Sequence, residues 1–276
     1  MNWQDEIEKF CEFYNIPLVY LADTLNEPKV IPMIRGKAFE FSVMLALQKV
    51  LPQNEFEIKK TPMNAQLGSH DQDVTVIHKP SGAMISVECK LAAKGRFRLH
   101  DKIGYEVRVK CMRSRTVGEA IAERMSKQLN IPKDVIMTHN DQYRPQDFDI
   151  VVTSLGNAFY DTNSSTGLFE WKPNKGGSDF LKKLSMGKPV TNWRDFAFFS
   201  LYAAPTSGLA IRPANKITCT REKCKNPEHC GFIPNYPSIW FSLDARTVYS
   251  PWVPINDWST LFRFIATSKI KNLPQK

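Results

Sequence analysis

No uninterrupted apolar stretch in the 276 residues approaches the roughly 18 that a membrane-crossing helix needs. The start, Met1-Asn-Trp-Gln-Asp-Glu6, lacks the basic residues and following apolar run of a secretory signal, so a cytoplasmic location is expected. There is no internal repeat and no low-complexity tract, which argues against a solenoid. Acids are scarce beside bases: 28 Asp and Glu face 37 Lys and Arg, for a net charge of +9 and a pI near 9.2. A surplus of that sign steers and holds polyanions through phosphate contacts. At 42% apolar residues the chain can bury a large core. A single domain over 1–276 is expected.

Residues 73–90 carry the densest chemistry. Val74 to Ile77 and Ala83 to Val87 are short β-branched runs separated by Lys79-Pro-Ser-Gly82, which predicts a hairpin with Pro at the second turn position. Pairing across that turn sums residue numbers to 161, so Asp73 falls opposite Glu88, with Cβ atoms about 4.5–5.5 Å apart. Alternation puts Ser86, Glu88 and Lys90 on one face, read as solvent-facing, and Ile85, Val87 and Cys89 on a core face. Two facing carboxylates repel unless a cation lies between them, and a hard divalent ion with oxygen ligands meets that need. Lys90 is close enough to orient or deprotonate a water beside such an ion. Asp71 shares the face of Asp73, so either aspartate could serve. A plain solvated strand with a Glu88/Lys90 ion pair is the simpler alternative.

The run Arg35 to Leu51 reads as a strong helix with a polar stripe of Arg35, Ser42 and Lys49. Glu40 falls on the opposite side with Met44, Leu47 and Leu51. A carboxylate there points inward and requires a Lys, an Arg or a metal as partner.

Gly36-Lys-Ala-Phe-Glu40 opening a helix, Asp73 before a strand and Glu88-Cys-Lys90 ending the next together resemble the PD-(D/E)XK nuclease superfamily, and within it the type II restriction endonucleases. The resemblance covers about residues 35–155. It implies an α/β fold with a restriction-endonuclease-like core, a mixed central β-sheet flanked by helices. It further implies Mg2+ held by Asp73 and Glu88, Lys90 acting on the attacking water, Glu40 in support, double-stranded DNA as substrate, a homodimer and a cognate methyltransferase. No proline precedes Asp73, a departure from the family pattern.

Beyond Lys90 the chain is basic, with Lys94, Arg96, Arg98, Arg113 and Arg115 as candidate DNA contacts. Thr116-Val-Gly-Glu119 reads as a capping box for a helix over 117–129, with Ile121, Met125 and Leu129 on one side. Phe148 to Leu155 reads as a fully buried strand. Residues 157–187 read as loops around a short helix capped by Ser178. A helix is expected over 192–202, a strand over 239–243, and a last helix from Asp257 through Thr267.

Cys219-Thr-Arg-Glu-Lys-Cys224-Lys-Asn-Pro-Glu-His229-Cys230 places three of six cysteines and a histidine in twelve residues. In a reduced protein that density reads as a structural Zn2+ site in a small insert, with reduced thiols in a loop as the alternative. Adjacent His229 and Cys230 strain a single ion, so Cys89, Cys111 or a distant histidine could replace one of them. Residues 156–276 with this 219–230 loop are assigned to DNA recognition or dimerisation. Three functions follow: a sequence-specific DNA endonuclease; a repair, transposon-linked or modification-dependent nuclease of the same fold; or a zinc-containing DNA-binding protein without catalysis.

Overall fold

A computed structural model describes residues 2–60 and 73–271. Asp71 lies outside them. The chain opens with helices α1 (Trp3–Phe13), α2 (Leu21–Asn26) and α3 (Ile31–Val50). Pro32 sits in the first turn of α3, where its missing N–H costs nothing, so the helix begins four residues earlier than its polar stripe suggests. Strand β1 (Phe56–Lys59) follows, then β2 (Val74–His78), β3 (Ala83–Cys89), β4 (Ala92–His100) and β5 (Gly104–Val109). Helices α4 (Glu119–Leu129) and α5 (Lys133–Thr138) precede β6 (Ile150–Ser154). After β7 (Tyr160–Thr162), β8 (Phe169–Trp171), α6 (Lys175–Leu184) and α7 (Trp193–Phe199) come β9 (Leu201–Pro205), α8 (Thr206–Leu209), β10 (Ser238–Phe241), β11 (Val253–Pro254) and α9 (Trp258–Lys271).

The main sheet has the order β1-β2-β3-β6-β9-β11. Only β3 and β6 pair in parallel; the other neighbours are antiparallel, so the sheet is mixed. Every residue of β6 is buried, as its Ile-Val-Val start predicts for an interior strand, Thr153 and Ser154 included. One face of the sheet packs Ile85, Val87 and Ile150 against Phe39, Val43 and Leu47 of α3 and against Trp258 and Phe262 of α9. The other packs Val151, Tyr202 and Ala204 against a second sheet, ordered β10-β5-β4, and against Phe180 of α6. The chain is therefore α/β with helices on one face and a smaller sheet, backed by α6, on the other. β9, β11 and α9 belong to this same core, which extends well beyond residue 155.

Asp149 fastens the parallel pair. Its Oδ2 accepts from the backbone N–H of Ser86 at 2.7 Å, from Ser86 Oγ at 2.8 Å and from Lys269 Nζ at 2.6 Å. One carboxylate thus ties β3, the entry to β6, and α9.

Several local expectations are corrected. The 116–119 capping box does not form: Gly118 caps α4 without a side-chain bond, because Val117 is drawn into an apolar cluster with Ala122 and Ile136 and its N–H donates to Asn140. That shifts the buried side of α4 to Ala122 and leaves Ile121 exposed. Asn174, not Ser178, caps α6, accepting from Gly177 N–H at 2.8 Å. The helix expected over 192–202 stops at Phe199 and the chain enters β9, since Leu201 and Ala203 are needed against α3 and α9. Phe199, the last residue of α7, is exposed. Asp257 lies in a 3-10 turn leading into α9, which runs four residues past Thr267.

Because α9 is part of the core, Phe262→Ala is expected to destabilise the fold by about 3–5 kcal/mol. Phe264→Ala, on the exposed side of the same helix, should change stability by no more than about 0.5 kcal/mol. Denaturant unfolding of the pair measures the difference.

Candidate active site and metal centre

The hairpin register follows the turn: Val74 pairs with Val87, Thr75 with Ser86 and His78 with Ala83. One step further Asp73 meets Glu88, and Asp73 Oδ2 accepts the backbone N–H of Cys89 at 2.8 Å. Local sequence therefore sets the position of both carboxylates. The face they occupy is not open to solvent as the sequence predicts. Ser86 and Glu88 are both buried: Asp149 takes up Ser86, and Tyr143, from the loop after α5, lies on Glu88. Tyr143 Oη donates to Glu88 Oε1 at 2.9 Å, and Lys90 Nζ pairs with the same oxygen at 2.6 Å. The Lys90 ammonium also lies 5.3 Å from the centre of the Tyr143 ring.

Glu40 points inward, as its helical position requires, and is buried. Its oxygens pair with Lys37 Nζ at 2.9 Å and Lys60 Nζ at 2.5 Å. The four residues quoted for the nuclease resemblance thus converge on one end of the β2–β3 hairpin.

Electrostatics at this end are strained in a definite direction. Burial, and then the charges of Glu88 and Glu40, push Asp73 up to about 7 despite the Cys89 N–H and Lys90. Burial alone would lower Lys90, but Glu88, Tyr143 and Asp73 outweigh it and hold the amine above the ordinary lysine range. Lys90 is therefore suited to orienting and to charge stabilisation. Tyr143 is raised by burial and by Glu88, so it stays a phenol that donates. A hard divalent cation fits this donor set: it would relieve the Asp73/Glu88 repulsion and replace the proton that Asp73 otherwise retains.

The predicted DNA contacts separate into two groups. Arg96, Arg98 and Arg115 are exposed. Lys94 is half-buried, bonded to Thr162 and lying 4.3 Å over the Phe169 ring. Arg113 is no surface contact: it is buried, donates through Nε to the Gln142 carbonyl at 2.9 Å and pairs with Asp147 at 2.5 Å. Its position in a basic run hides this role, which comes from the 141–147 loop. Arg35 escapes sequence reading as a site residue. Its guanidinium lies 4.4 Å over Tyr160 and 5.1 Å over Phe169, and Nη1 is buried with no hydrogen-bond partner.

A second group of candidate ligands is built on His139 and the cysteine loop. The side chains of His139, Cys219, Cys224 and Cys230 bring ligand atoms within 4.8 Å of one another, and together they could hold a metal ion. The predicted His229 is not among the four, and neither are Cys89 and Cys111. His139 takes the histidine place from eighty residues upstream, a pairing that spacing within the loop cannot reveal. Its ring is buried, stacks on Phe232 at 4.3 Å, and bonds through Nδ1 to Gln142 Oε1 at 2.5 Å. Gln142 is itself oriented, since its Nε2 donates to the Ile233 carbonyl at 3.0 Å. The imidazole must then carry its proton on Nδ1, which leaves the Nε2 lone pair for a metal. Burial lowers the His139 pKa and keeps the ring neutral, as a ligand needs. Burial also raises Cys219 and, together with the neighbouring thiols, pushes Cys230 up to about 12. Three adjacent thiolates form readily only around a cation.

Compared with family models, curated proteins and solved structures, the chain matches none.

Two outcomes test this geometry. Divalent-cation affinity at Asp73 and Glu88 should rise about tenfold per pH unit below 7, where binding must displace the Asp73 proton, and level off above it. Calorimetric titration across pH 5.5–8.5 measures the slope. At the second group, His139→Ala should abolish stoichiometric metal binding while His229→Ala preserves it. Gln142→Leu, which frees the ring, should weaken affinity by roughly 10–100-fold.

Proposed function

We propose that this chain is a magnesium-dependent, sequence-specific DNA endonuclease of the type II restriction kind, hydrolysing phosphodiester bonds in double-stranded DNA. The observation that carries the reading is the convergence of Asp73, Glu88, Lys90 and Glu40, with Asp73 raised to about 7 by its buried carboxylate neighbours. A mixed sheet, a PD-(D/E)XK-like set of residues and a net charge of +9 support it.

Mg2+ bound at Asp73 and Glu88 would supply a polarised water and neutralise developing phosphate charge. The chain's residues do the rest. Tyr143 and Lys90 hold Glu88 in one orientation. Lys90 orients the attacking water and stabilises charge on the scissile phosphate. Glu40 holds Lys37 and Lys60, and Arg35 and Lys94 converge on the Phe169 ring, so cationic groups gather on this part of the molecule. Arg96, Arg98 and Arg115 extend the positive surface to the DNA backbone.

The four-ligand group of His139, Cys219, Cys224 and Cys230 is read as structural Zn2+, because three thiolates and one imidazole are the soft, tetrahedral set that zinc favours. The metal would clasp the 219–230 loop to the α5 end. A double-strand cut from one catalytic hairpin calls for two copies, so the active form is a homodimer paired in the cell with a methyltransferase. The zinc group equally suits a DNA-binding protein that does not cut, and plasmid cleavage decides between them.

With Mg2+, plasmid cleavage is expected and excess chelator should stop it. Glu88→Gln, Lys90→Ala and Asp73→Asn should each lower the rate by roughly 10²–10³-fold or more. Glu88 is buried, so melting of each variant is compared to separate chemistry from folding. Tyr143→Phe should cost about tenfold through a misoriented Glu88. No cleavage of DNA of varied sequence by folded, magnesium-loaded protein would overturn the reading.

A further inference from the structure

We infer that the N-terminal arm, residues 2–29, is the surface through which two copies of this chain associate. Within it only Cys11 is buried, although α1 and α2 are formed. Of 23 exposed large hydrophobic residues among those described, eleven fall between Trp3 and Leu45. α2 packs on α3 of its own chain, but α1, an eleven-residue helix buried only at Cys11, is marginal by itself in water, and its exposed apolar side calls for a partner.

The pattern on α1 says what kind of partner. Trp3, Ile7, Phe10 and Tyr14 follow 4-3-4 spacing, the a/d seam of a two-helix contact, while Asp5, Glu8 and Glu12 lie on the outer side. Six acids against two lysines give residues 1–29 a net charge of −4, which leaves +13 for the remainder of the chain. That sign repels a nucleic-acid backbone and an anionic lipid surface. It complements the basic remainder of a second copy. The five exposed aromatics of the arm are 51–76% accessible. Covering them buries about 600 Å² per chain before Leu18, Val19 and Leu25 are added, close to the ~800 Å² per partner of a stable interface. A two-fold pair in which each arm lies on the other copy satisfies the seam and the charge at once.

The inference deepens the two-copy requirement of the nuclease reading, yet it is measured without DNA or divalent metal, so it fails or stands apart from cleavage. Sedimentation velocity of the full chain should show a dimer. Trp3→Ser and Phe10→Ser, both on exposed positions, should retain the melting temperature and each weaken association by about 30-fold. Glu8→Lys with Glu12→Lys should weaken it as well. A wild-type monomer up to roughly 100 µM, well above a micromolar dissociation constant, overturns the inference. So does a dimer unaffected by the arm substitutions, and so does a monomer whose arm variants lose DNA binding.

Discussion

Three carboxylates held in a poorly solvated space cannot all be ionised without compensation, and much of this molecule is arranged around that constraint. Lys37 and Lys60 answer Glu40, Lys90 and Tyr143 answer Glu88, and Asp73 is left to share a proton. The compensating groups come from separate layers: the helix beside the sheet, the strand ends, and the loop beyond α5. Removing one partner leaves an uncompensated buried charge, which is why the site and the fold are hard to perturb separately.

The second ligand group is joined to this arrangement by a short stretch of chain. His139, Gln142, Tyr143 and Asp147 occupy nine residues, and through them the His139 ring, the Arg113 guanidinium and the Glu88 carboxylate share one set of hydrogen bonds. Ile233, just past the cysteine loop, receives the Gln142 amide and returns its own N–H to the Tyr143 carbonyl. On the proposed reading a soft ion organises the support and a hard ion does the chemistry, and their ligand types keep the two apart.

Sequence reading was strong wherever information is local. The turn Lys79 to Gly82 dictates the β2–β3 register, helical periodicity turns Glu40 inward, and the β-branched run Ile150-Val-Val-Thr153 marks β6 as interior. It was weak wherever tertiary neighbours decide. Glu88 alternates onto a polar face, yet it is buried with Tyr143 upon it. Arg113 sits in a basic run, yet Asp147 and the Gln142 carbonyl claim it. His229 lies beside the cysteines in sequence, while His139 lies beside them in space. β9 went unseen because Leu201 to Pro205 follows directly on an aromatic helix with no turn signal between them.

The placement of β6 bears on how the molecule comes into being on a ribosome. This strand draws one neighbour from residues 83–89 and the other from 201–205, and the Asp149 carboxylate at its entry waits for Lys269. The sheet cannot be completed on the nascent chain until β9 and β11, residues 201–205 and 253–254, have emerged, since pairings so distant in sequence form late. A hairpin bearing the reactive side chains would exist early and alone, unburied and without Tyr143 to aim it. Whatever this centre does to its substrate, it can do only after the chain has been made about 180 residues beyond the carboxylates themselves, through Lys269.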